Sequence, residues 1–195
     1  MKTLLAALLA IGGIVSVAAQ TDVQLKRRLE NFIGFNKQLN FDSVIAYTYP
    51  KIFTLVTREE LLESLKNSFE NEALNIALDD IRTDTVFPVF MEQGGKYAKI
   101  SYSMKMIMRL KSKGGDTSGQ KEQTEAVISG LQTQFGHDKV HTDSSGNIIL
   151  QMKAQMLAAK DKYAKDWCFV NLREGDANIA QLFSKEILGK AAAYH

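Results

Sequence analysis

Residues 135–141 read FGHDKVH, and His137, Asp138 and His141 make up the pattern closest to catalytic chemistry in the chain. Two histidines at i and i+4 share a metal when both lie on one helix face, and a catalytic zinc takes a third protein ligand besides. Gly136 interrupts any helix here, and Val140, His141 and Thr142 run into the turn-forming HTDSSGN. The stretch therefore predicts a hairpin arm. On a strand the two imidazoles face the same way but about 13 Å apart, too far to hold one ion. The expectation is no metal and no cofactor.

The other reactive side chains have plainer uses. Cys168 is the only cysteine, so no internal disulfide forms, and in the apolar run WCFV it is expected to pack as a small hydrophobe. Asp42 reads as a helix cap. Asp80 shares a strand face with Ile76 and Leu78, although Asp79 takes that place if the register slips by one residue. GGDTSG lacks the lysine and helix start of a phosphate loop, and the chain has no serine-centred elbow and no basic stripe interleaved with aromatics. Nucleic acid is accordingly not expected as a partner.

The elements that must position these groups follow from periodicity. Thr21 and Gln24 form a capping box ahead of Leu25, Leu29, Phe32 and Ile33, which predicts a first helix closing near Gly34. Asn40 or Asp42 caps a short second helix limited by Pro50, and Thr57 with Glu60 starts a third. From about Leu74 the period changes to two. Segments 75–82 and 85–91 read as strands, with Pro88 at an edge or bulge, and EQGGK makes a hairpin turn. Ala98, Ile100, Tyr102, Met104, Met106, Met108 and Leu110 then alternate with Lys99, Ser101, Ser103, Lys105 and Arg109, whose lysines are expected to meet water. A second alternating strand carries Ile148, Leu150, Met152, Ala154 and Met156, and DWCFVNL is the last strand. Between the long strands lies an insertion at about 111–145, a flexible KSKGGDTSGQ followed by a helix. One terminal helix from Asn178 closes the chain. Strands with one apolar face need a helical cover, so the fold class is α+β: a strongly bent, mostly antiparallel sheet wrapped around the N-terminal helices.

The ends and the charge set the compartment. Residues 1–19 hold one lysine, an apolar run from Leu4 to Val17, and small residues at Val17 and Ala19, the pattern of a secretory signal cut before Gln20. Its apolar core is shorter than a membrane span needs. Export to the periplasm or the exterior is expected, with residues 20–195 as one domain. The formal charge of +2 falls to +1 when Lys2 is removed, which offers no electrostatic attraction to anionic membranes.

The opening helix, the stretch from FDSVIAYTYP to TREELLESL, the long alternating strands and DWCFVNL resemble the nuclear transport factor 2-like superfamily. That resemblance implies a cone-shaped domain, a frequent face-to-face homodimer, and a role as a ligand-binding or association module or as an isomerase or dehydratase. The isomerase chemistry needs a carboxylate base and acidic donors in an apolar cavity. Neither clear strand carries Asp, Glu or His on its apolar face, so no catalytic residue is assigned. A non-catalytic domain that binds a small apolar ligand or a protein partner is the leading expectation. The candidate lining is Tyr47, Tyr49, Tyr102, Met104, Met106, Met152, Met156 and Trp167. Thioethers adapt to varied apolar surfaces and the aromatic tips orient a ligand, although a plain core against the first and third helices would show the same stripe.

Overall fold

The computed structural model describes residues 22–111, 117–173 and 175–194. The expected signal segment, Thr21, most of the glycine-rich part of the insertion and His195 lie outside the described residues. Helices α1 (Val23–Lys37), α2 (Phe41–Tyr47) and α3 (Arg58–Phe69) come first. Strands β1 (Leu74–Val86), β2 (Phe90–Glu92) and β3 (Gly95–Leu110) follow, then α4 (Thr117–Phe135), β4 (Val140–Thr142), β5 (Ile148–Asp161), β6 (Ala164–Leu172), α5 (Ala177–Leu182) and α6 (Lys185–Ala192). The fold is α+β. Its sheet is antiparallel, six-stranded and not closed, in the order β1-β3-β5-β4 with β2 also on β3 and β6 on β5.

Local chemistry sets the helix boundaries. Asp22, one residue after Thr21, caps α1 by accepting the Gln24 and Leu25 amides at 2.9 and 3.1 Å. Burial disfavours its charge, but the Leu25 and Gln24 amides hold its pKa below the ordinary carboxylate value. The helix runs past Gly34 to Lys37, because a glycine inside a well-packed helix costs only about 1 kcal/mol. Asn40, and not Asp42, caps α2, and the Thr57–Glu60 capping box opens α3 as predicted. The expected single terminal helix is two. Phe183 is extended and buried, and Ser184 accepts the Ile187 amide to start α6 afresh.

The sheet confirms the alternation. Met104 lies directly across from Met152, Met106 from Leu150, Tyr102 from Ala154 and Ile100 from Met156, so both methionine strands present one face. β1 gains an extra residue between Asp79 and Arg82 and another between Thr83 and Thr85. Such bulges bend a strand and blunt its free edge. Asp80 occupies the first, in the left-handed region that Asp tolerates better than most residues.

Two helices share the methionine face. At one end Leu25, Leu29, Phe32 and Ile33 of α1 pack on Ala98, Ile100, Met156, Trp167 and Phe169. At the other end Val127, Ile128, Leu131 and Phe135 of α4 pack on Met108, Val140, Ile148 and Leu150. The helix of the insertion is thus a second cover for the sheet, while α3 contributes no buried residue and sits at the margin. The opposite face is covered at one end by α5 and α6, which join Tyr49, Tyr97, Leu157, Cys168 and Val170 in a separate core. Among the described residues no helix is long and apolar enough to cross a membrane.

Candidate functional site

Seven of the eight predicted lining residues share the methionine face and Tyr49 lies on the other, but the seven do not enclose a space. Met156 and Trp167 are fully buried under α1, and Tyr102 is buried with its hydroxyl donating to Asn171 Oδ1 at 3.0 Å. The Trp167 Nε1–H is buried without a hydrogen-bond partner, and the Trp167 carbonyl accepts from Arg28. Tyr47 is half-buried beneath the Arg28 guanidinium, 4.0 Å from its ring centre, and accepts from Asn31 at 3.2 Å. Met104 and Met152 occupy the seam between the two helical covers, half-buried, and border a depression of about 210 Å³ with Asp80, Arg82 and Lys105. Beneath α1, Leu25 and Leu29 are buried against Ile100, Met156, Trp167 and Phe169.

The residues first considered for catalysis are dispersed. His137 sits in a short 3-10 turn, His141 points outward from β4, and Asp138 pairs with Lys139 at 2.6 Å. The Asp80 side chain is 60% exposed and pairs with Arg82 at 3.4 Å. Cys168 is buried, which pushes its thiol pKa up and keeps it protonated.

The face under α5 and α6 holds two arrangements that periodicity did not announce. In the first, Tyr49 and Tyr97 both donate to Asp161 Oδ2, at 2.6 and 3.0 Å, while Oδ1 accepts the Tyr163 and Ala164 amides of the β5–β6 turn. Phe183 stacks on Tyr49 and meets Tyr97 edge-on. Burial, reinforced by the Asp161 charge, drives both phenol pKa values far above the ordinary range. Two locked phenols on a carboxylate with four bonds form a structural clasp, because neither carboxylate oxygen is left to take a proton from a substrate. A cleft of about 400 Å³ opens beside it, past Lys51, Tyr163 and Gln181.

The second arrangement is a cleft of about 650 Å³ between α5, α6 and the sheet. Leu172, Ile179 and Leu188 give it apolar walls, and four alanines, Ala177, Ala180, Ala191 and Ala192, leave the room that larger side chains would fill. Its polar groups are Lys99, Gln155, Arg173 and Asp176, the last already capping α5 through the Asn178 amide at 2.8 Å. Lys99 is a correction to the sequence reading, which placed it in water. It is 5% exposed, its ammonium donating to the Tyr194 carbonyl at 2.6 Å and lying 5.5 Å from the Phe87 ring. The available signal was the alanines of ANIAQL and GKAAAY, small residues spaced along two short helices.

No family model, no curated protein and no solved structure matches the chain. Among the described residues, no group of three or more His, Cys, Asp or Glu side chains is placed to hold a metal.

Proposed function

We propose that this chain is an exported, non-catalytic binding domain of the nuclear transport factor 2-like kind, which takes a small apolar ligand into the cleft between α5, α6 and the sheet. The observation that carries this is the alanine-walled cleft itself. Its volume of about 650 Å³ falls in the range of small-molecule sites, and its apolar walls with a few convergent polar groups have the usual composition of one. Three helices preceding an antiparallel sheet support the kinship, and the lysine and apolar run at the N-terminus support export. The non-catalytic role is favoured because Asp161 is saturated by its own fold and Asp80 is solvated and paired.

The test is titration of the mature chain with N-phenyl-1-naphthylamine, an uncharged apolar dye that brightens out of water. Saturable enhancement is expected, and Ala180→Trp, which fills the cleft from an exposed helix position, should abolish it without lowering the melting temperature. If that variant binds normally and Met104→Lys does not, the ligand sits on the methionine face and the cleft assignment is wrong. Turnover of a ketone, lost on Asp80→Asn, would favour the isomerase alternative. The implied homodimer is a separate matter for light scattering, where a monomer at high concentration removes it.

A further inference from the structure

We infer that the ligand of this cleft is a negatively charged amphiphile whose head group sits on Lys99. This rests on the cleft being the binding site. Lys99 is the one charged residue buried among the described residues. An ammonium has three protons to donate, and removing it from water is costly unless it is paired. One proton meets the Tyr194 carbonyl, just beyond the end of α6, where the helix dipole is negative. The Phe87 ring lies near enough for a weak cation–π contact. Among the described residues no carboxylate pairs with the ammonium, and the side chain borders the cleft.

The rest of the lining points the same way. Arg173 adds a second cation and Gln155 an amide, while Asp176, the one carboxylate among the described lining residues, is held by the α5 cap. Apolar walls together with two cations complement a molecule with an oily body and one anionic end, such as a medium-chain carboxylate. A neutral apolar molecule would leave Lys99 undercompensated, and a cationic one would meet like charge.

The experiment is displacement of bound N-phenyl-1-naphthylamine by laurate, dodecanol and dodecyltrimethylammonium, which share a chain and differ in charge. Laurate should displace the dye at a concentration at least about tenfold lower than dodecanol, and the cation should be weakest. Lys99→Met, which keeps the stem and removes the charge, should bring laurate to the dodecanol level and leave dodecanol unchanged. The exposed Arg173→Gln should weaken laurate alone by a smaller factor, giving a second readout if Lys99→Met folds poorly. Equal displacement by laurate and dodecanol, with dye still bound, overturns the charge inference and leaves the cleft standing. A Lys99→Met protein with a lower melting temperature but an intact laurate preference also overturns it, since Lys99 would then only anchor α6. Absence of dye binding removes the cleft and this inference together.

Discussion

Replacing Asp161 by Asn isolates what its clasp contributes, because the shape is kept and only the charge and one acceptor are lost. The turn amides of Tyr163 and Ala164 require the oxygen, so the new NH2 group must face Tyr49 and Tyr97, whose hydroxyls now have to accept instead of donate. Hydrogen bonds to a charged group contribute about 1.5–3 kcal/mol each, so two such bonds partly replaced by neutral ones should cost about 2–4 kcal/mol. For a domain of this size that lowers the melting temperature by roughly 5–15 °C. The assay is urea unfolding followed by near-ultraviolet dichroism. Alkali gives an independent check. Both native phenols titrate above the unfolded value of 10.0, so their stabilisation is complete below about pH 10 and is lost as pH rises beyond it. Each contributes a slope of about 1.4 kcal/mol per pH unit in that range, and the Tyr49→Phe/Tyr97→Phe variant should flatten the alkaline limb by about twice that. A loss under about 1 kcal/mol in Asp161→Asn, with an unchanged alkaline limb in the double variant, would refute the clasp.

Asp22→Ala should cost about 1 kcal/mol near neutrality, as the loss of a helix cap does, measured by urea unfolding. Because the native carboxyl titrates below the unfolded 3.8, the gap between wild type and variant persists above that value and closes as pH falls beneath it. Leu131→Ala should destabilise the whole domain by about 1–2 kcal/mol in one cooperative transition, since α4 covers the sheet; unchanged stability would mark α4 as a detached arm. Peroxide should oxidise Met91, 66% exposed, well before Met108 and Met156, at 5% and 3%, as read by peptide mass mapping. Cys168 should resist Ellman's reagent until denaturant is added.

The part of the fold legible in the sequence is the part governed by short periods. Alternation at 97–110 and 148–158 set the faces of β3 and β5, and pairing of Met104 with Met152 follows from it. The Thr57–Glu60 box marked a helix start because its chemistry spans only three residues. The clasp was not legible, since Tyr49 and Asp161 are 112 residues apart and the turn DKYAK looks the same whether or not its aspartate is used elsewhere. Lys99 was misplaced for a related reason. Alternation shows that a residue faces away from the apolar side, but nothing local shows that α5 and α6 double back over that side. The helix of the insertion and its apolar stripe of Val127, Ile128, Leu131 and Phe135 were legible from their spacing, but nothing local showed that the stripe docks on the sheet. Tyr47, Trp167 and Met156 were offered as lining because aromatic and thioether side chains suit cavities and cores alike, and only packing against α1 separates the two.

Methyl NMR of the mature chain, labelled at alanine and methionine and titrated with laurate, tests the location of the site most directly. The expected result is saturable shifts of the Ala177, Ala180, Ala191 and Ala192 methyls, with those of Met104, Met106 and Met152 unmoved. Shifts confined to the methionines, or none in either set, would contradict a ligand site beneath the two C-terminal helices.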